Sequence, residues 1–383
     1  MKILDSVPSE YRQSVLFSML ALCWGSSFVA IEVGLEHVPP ILFAGLRYAL
    51  AGAIVLGYAA VVTDRVRPVG RAEWLVVTIA GVFVIALYHG LLYIGELYVS
   101  GAVAATVVST APILTVAFAG AVLPNERLGP VGIAGFVLGL LGVILVVQPS
   151  PAALGGDTIV GAAIVFASAV AFALGGVLVR PIESELPIET LQAWAMLLGA
   201  GVLFGWAALR GESVAAIELT TTALLSYAYL TFVSGVFAFL LYFELLEESG
   251  PTQVNLVGYA EPAVAIGVSW LVLDSLVDSL TIVGLLTILA GFLIIKRRAI
   301  RSLVRSKLEP TVVERRSTAG RQVDAQTDGG TPLEADTGAR TDGGTPLETD
   351  VDTRTDGGTT DETVSTADVR VSAGEPPSIE TRE

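Results

Sequence analysis

Apolar residues fill ten long runs in the first three quarters of the chain, and polar residues collect in the short stretches between them. The runs cover residues 14–34, 40–62, 74–94, 98–123, 128–147, 158–179, 188–209, 222–246, 252–273 and 279–295. Each approaches the roughly 20 residues that cross about 30 Å of hydrocarbon at 1.5 Å per helical residue. Apolar side chains surround these segments on all sides, which argues against amphipathic helices of a soluble protein, and alternating strand patterns do not occur. The pattern therefore predicts ten transmembrane helices. The first run has full length and leads directly into a second, so it reads as a helix and not as a cleaved leader. Turn formers such as Pro39-Pro40, Pro149-Ser150-Pro151 and Gly250-Pro251 punctuate the connections.

Composition agrees: of 383 residues, 53 % are hydrophobic and only 15 % charged, against about a quarter charged in soluble domains. The single cysteine, Cys23, excludes a disulfide scaffold and a multi-cysteine metal site. Charge is unevenly spread. Residues 1–308 hold 20 acidic and 15 basic residues, whereas residues 309–383 hold 17 and 7, so −10 of the net −15 lies in the last segment. That segment repeats Thr-Asp-Gly-Gly-Thr from Thr327, Thr341 and Thr355 and has few large apolar residues. It cannot bury enough surface to offset the entropy of ordering, and the expectation is a disordered acidic cytoplasmic tail.

Lys and Arg favour the cytoplasmic side of a membrane. One set of alternate loops and ends holds thirteen, including Arg65, Arg67, Arg71 and the cluster from Lys296 to Lys307, while the other holds only Arg210. Both termini are thereby expected in the cytoplasm, with the chain in the plasma membrane and the basic cluster at the lipid headgroups, not on nucleic acid.

An internal repeat is the most informative feature. Leu91-Leu92-Tyr93 with Ser100-Gly101 recurs as Leu240-Leu241-Tyr242 with Ser249-Gly250, at an offset of 149, and Pro112 recurs as Pro262. Two five-helix halves follow. Five is odd, so the second half enters the membrane from the opposite side, the inverted-repeat design of many secondary transporters.

Several ordered motifs carry a family resemblance. Trp24-Gly25-Ser26-Ser27-Phe28, Pro39-Pro40 before Leu46-Arg47-Tyr48, and Ala111-Pro112-Ile113-Leu114 before Asn125-Glu126-Arg127-Leu128 resemble the EamA repeat of the drug/metabolite transporter superfamily. Tyr259-Ala260-Glu261-Pro262-Ala263-Val264 resembles the second copy, although Leu276 stands where Glu126 would recur. The resemblance implies an all-α membrane protein with repeats over 14–147 and 158–298, moving a small metabolite.

Charged groups inside hydrocarbon cost about 2.5–3.5 kcal/mol on insertion scales, so those present need a reason. Two sit well inside a run, Arg47 and Glu261, and both break the repeat symmetry, since Leu197 and Ala111 occupy the equivalent positions. In a cavity, Glu261 can carry a proton or meet a cationic substrate group; alternatively it is a structural carboxylate held by a hydroxyl or by Arg47. Arg47 can hold a carboxylate or phosphate through its planar fork, or serve structure and gating. His89 titrates near neutral pH when solvated, and otherwise packs as a neutral ring. Trp24, Ser26, Ser109, Thr110, Trp194, Asn255 and Tyr259 lie at comparable depth and are further candidates for lining a cavity. Glu32, Glu96, Glu244, Glu247 and Glu248 fall near run ends, where water is expected to solvate them. Gly135 with Gly139 and Gly201 with Gly205, each four apart, are expected to bring helix backbones together.

No phosphate loop, His-Glu-x-x-His zinc motif or nucleophile elbow occurs. These absences leave no cofactor, metal or catalytic residue to assign and point away from an enzyme. The expected function is a secondary carrier with a small-molecule substrate, driven by protons or by a counter-substrate and working by alternating access. A membrane sensor that recruits partners through the acidic tail is the alternative.

Overall fold

The computed structural model describes residues 9–123, 129–147, 156–254 and 256–308. Among these, every regular element is helical. Ten helical rods follow one another: α1 Ser9–Leu35, α2 Pro40–Val62, α3 Gly70–Gly95, α4 Gly101–Val122, α5 Pro130–Val147, α6 Asp157–Leu178, α7 Ile188–Leu209, α8 over 221–254, α9 Val257–Leu273 and α10 Ser279–Leu308. Eight are long and apolar enough to cross a membrane; α9 and the apolar part of α10, Ser279–Ile295, are shorter. Their outward faces carry large apolar side chains such as Leu50, Ile133, Leu141, Phe232 and Leu286.

Helix ends follow local chemistry and not the limits of the apolar runs. Pro40 opens α2 at a position where its missing N–H costs nothing. Ser100 caps α4 by accepting the Val103 N–H. The rods α1, α8 and α10 outlast their apolar stretches because charged residues still favour helix. On α8, Glu244 remains buried and, with Glu248, pairs with Arg12 of α1, so it is not solvated as its place near a run end suggests. Glu96 is buried as well.

Three kinds of irregularity matter. α3 and α8 each contain a π-helical stretch, Ala80–Leu87 and Tyr229–Phe237. α4 breaks at Ser109-Thr110, ahead of Pro112, and the hydroxyls of those two residues donate to the carbonyls of Thr106 and Val107. α9 carries Pro262 in its interior.

The rods pack in definite pairs: α5 on α10, α2 on α7, α1 on α9 and α8, α6 on α4 and α3, and α7 on α3. The contact of α5 with α10 is backbone on backbone. A Cβ on Gly291 would lie 2.6 Å from the Gly135 carbonyl oxygen and 2.8 Å from the Gly139 nitrogen, so glycine is required there. Gly201 and Gly205 instead face open space and bring no backbones together, correcting the expectation from their spacing. The expected tail over 309–383 lies outside the described residues.

Candidate functional site

A cavity of about 270 Å³ opens among α1, α2, α3, α4, α6, α7, α8 and α9, close to the lower bound of small-molecule sites, about 300 Å³. The residues that give it chemical character are Arg47, Glu261, His89, Gln192, Tyr88 and Ser234. Its walls include Trp24, Phe239 and Tyr242, whose rings pack edge-on or tilted at 5.5–5.9 Å.

Arg47 is 3 % exposed and sits deep in α2. Its guanidinium donates to the Tyr93 hydroxyl at 2.9 Å and to the Ser234 hydroxyl at 2.9 Å, and lies 4.9 Å from the centre of the Tyr48 ring. Among the described residues its Nε–H has no partner, and no carboxylate pairs with it. A buried cation held only by neutral groups is costly. The arrangement can accept an anion on the cavity side.

Glu261 reaches the cavity from α9 because α1 lets that helix come close. A Cβ on Gly25 would stand 2.7 Å from the Glu261 carbonyl oxygen and 2.6 Å from the Val264 Cβ, which explains the glycine in Trp24-Gly25-Ser26. Among the described residues Glu261 makes no hydrogen bond or ion pair. The neighbouring Pro262 leaves a helix carbonyl without its usual donor. His89 is bound on both ring nitrogens, with Nδ1 3.1 Å from the Ile85 carbonyl oxygen and Nε2 meeting the Tyr48 hydroxyl. Because the carbonyl can only accept, the proton belongs on Nδ1, and a neutral ring satisfies both contacts.

Of the residues expected from sequence, Arg47, Glu261, His89 and Trp24 thus converge on one cavity. Others sit elsewhere. Ser26 bonds the Tyr229 hydroxyl at 2.5 Å. The Trp194 indole donates to the Val66 carbonyl at 2.9 Å and fastens the loop between α2 and α3. Ser109 and Thr110 serve the break in α4. Tyr259 stacks on Phe292 at 4.1 Å, and its hydroxyl is buried without a partner. Asn255 and the Asn125-Glu126-Arg127 stretch lie outside the described residues.

Sequence reasoning missed Tyr48, Tyr93, Ser234 and Tyr242. Tyr93 and Tyr242 are the last residues of the repeated Leu-Leu-Tyr, so the repeat itself carried that signal. For Ser234 no signal existed.

An all-helical bundle with membrane-crossing rods around a charged, aromatic cavity defines a polytopic membrane protein of the transporter class. The chain belongs to the EamA-like transporter family, which matches residues 13–148 and 159–297. An uncharacterized transporter of Archaeoglobus fulgidus is 27 % identical over 287 residues, covering 75 % of this chain and 99 % of that one. The uncharacterized inner membrane transporter YedA of Escherichia coli K12 is 28 % identical over 250 residues, 64 % of this chain and 78 % of its own. A probable amino-acid metabolite efflux pump of Salmonella typhimurium is 25 % identical over 294 residues, 74 % and 94 % of the two chains. One crystal structure, 22 % identical, shares the fold with a TM-score of 0.54 over 76 % of this chain and 99 % of that one.

Proposed function

We propose that the protein is a secondary carrier of ten membrane spans, built as two inverted five-helix repeats, with both termini in the cytoplasm. Packing supports this reading. Exchanging each helix for the one five positions on turns the contacts of α1 with α9 and α8 into those of α6 with α4 and α3, and the contact of α2 with α8 into that of α7 with α3, while α2 with α7 and α5 with α10 map onto themselves. The π-helical stretches obey the same rule, because Ala80 and Tyr229 differ by 149, the offset of the Leu-Leu-Tyr repeat. π-helical turns often mark functional positions. Two similar halves around a central cavity can open it first to one side and then to the other.

The observation that carries the substrate assignment is the pair of charges in one cavity that are unmatched among the described residues, Arg47 without an anion and Glu261 without a cation. A small zwitterionic metabolite answers both: its carboxylate binds the Arg47 fork, its ammonium lies near Glu261 and the aromatic wall, and a proton replaces the ammonium on Glu261 when the cavity is empty. The name of the Salmonella relative supports amino acids as the first class to try.

Purified protein in proteoliposomes, supplied with a mixture of radiolabelled L-amino acids under an imposed pH gradient, tests this. Accumulation driven by the gradient is expected in the wild type. Glu261→Gln is expected to exchange label without responding to the gradient, and gradient-driven accumulation by that variant would remove Glu261 from the coupling.

A further inference from the structure

A second group of ionisable residues lies outside the cavity, where α1 and α3 end and α4 begins. Glu32 is in the last turn of α1, and its carboxylate accepts the Gly101 N–H at 2.8 Å, at the positive end of α4. The contact is close because a Cβ on Gly101 would meet the Phe28 carbonyl oxygen at 2.6 Å. Glu96 directly follows α3. It is 6 % exposed, and neither carboxylate oxygen has a hydrogen-bond partner among the described residues.

The two carboxyls differ in support. Glu32 has a backbone donor and a helix end to hold its charge. Glu96 has neither, and it feels the negative charge of Glu32. Arg47, on α2, attracts it through space but forms no ion pair with it and is engaged by Tyr93, one turn back along α3. Glu36, in the turn after α1, adds a further negative charge near Glu32. α6 meets this turn with Gly161 and Val165, which offer no charge. Burial first, and the Glu32 charge second, push the Glu96 carboxyl well above the ordinary carboxylate range. Removing an unpaired carboxylate from water costs several kcal/mol, and a carboxylate neighbour increases that cost. A single added positive charge removes both penalties.

We propose that Glu96 and Glu32 form a binding site for one monovalent cation, a proton or Na⁺, set apart from the cavity. Carboxylate oxygens are hard ligands suited to either. Taken together with the transport reading, on which this last step rests, the site gives a coupling sign: neutralising Glu96 frees the field of Arg47 for an anionic substrate group, so cation and substrate favour each other's binding.

The test needs no transported substrate. Full-length protein in nanodiscs is melted as Na⁺ replaces choline at fixed ionic strength, and, in choline, as pH falls from about 8 to about 5. Because Glu96 binds a proton more tightly folded than unfolded, that stabilisation is present at low pH and lost as pH rises through its folded value. Glu261 can add its own pH response, so the comparison is made in Glu261→Gln against Glu261→Gln with Glu96→Gln. The melting temperature of the first is expected to rise either with Na⁺ or with falling pH, which tells the two cations apart; the second is expected to respond to neither. In the Glu261→Gln chain, adding Glu32→Gln is expected to shift the midpoint by about one pH unit, or weaken Na⁺ binding about tenfold. A Glu261→Gln protein that ignores both cations, a Glu96→Gln double variant that responds as the single one does, or a Glu32→Gln double variant with an unshifted midpoint would each overturn the proposal. None of those results touches the cavity assignment, which amino-acid transport tests separately.

Discussion

Gly291→Leu is expected to lower the stability of the protein by about 3 kcal/mol, the upper part of the range for overpacked interiors, and the melting temperature in detergent by about 6–12 °C. The atoms a side chain would strike are the Gly135 carbonyl oxygen and the Gly139 nitrogen and Cα, all backbone, so no rotamer change relieves the contact. α5 and α10 must then separate. In lipid, helices associate through close packing and not through water exclusion, so a small separation removes much of the attraction. Gly201→Leu is the control. The Cβ there meets nothing within 4 Å, and an unchanged melting temperature is expected. Because Leu is a better helix former than Gly, propensity cannot account for a loss; equal destabilisation by both variants would mean that the α5–α10 contact does not govern the response.

Arg47→Met is expected to reduce amino-acid transport about a hundredfold while the melting temperature changes little. Charge-assisted hydrogen bonds to a substrate carboxylate contribute about 1.5–3 kcal/mol, and 3 kcal/mol corresponds to a factor near 150. Stability changes less for a reason of sign. Removing the guanidinium leaves the Tyr93 and Ser234 hydroxyls without a donor, at about 1 kcal/mol each, but it also removes the desolvation cost of a buried cation that has no carboxylate partner. Arg47→Lys keeps the charge and loses the fork, so an intermediate rate is expected. Initial rates in proteoliposomes, read beside melting curves of the same preparations, separate the two roles of this residue. Wild-type transport with a much lower melting temperature would make Arg47 a structural fastener.

The pattern of apolar runs located nearly every rod, because hydrocarbon imposes one requirement on the whole length of a span. What it could not supply was where each helix ends. Polar side chains past a run remain helical when a partner receives them, as Glu244 receives Arg12, and that partner lies 232 residues away in sequence. Depth alone picked out Arg47, Glu261, His89 and Trp24, all of which line the cavity. The same argument also selected Trp194 and Ser109, whose polar atoms serve nearby backbone. Residues at equal depth can face a cavity, a neighbouring helix or a loop, and only helix rotation distinguishes these. Ser234 shows the reverse: an ordinary serine in an apolar run becomes an Arg47 ligand because the π-helical stretch turns it inward. Nor does the spacing of Gly201 and Gly205 differ from that of Gly135 and Gly139. The difference lies in whether another helix is present opposite them.

The two-repeat arrangement is tested most directly by the sidedness of equivalent loops. Asp64, in the loop after α2, and Ser213, in the loop after α7, are both exposed and differ by the repeat offset of 149. Each is replaced by cysteine in a chain whose only native cysteine, Cys23, is changed to alanine. Intact cells are then treated with a membrane-impermeant maleimide. Labelling at position 213, with position 64 labelled only after the membrane is opened, is the predicted result; labelling of both from the same side would contradict inverted repeats.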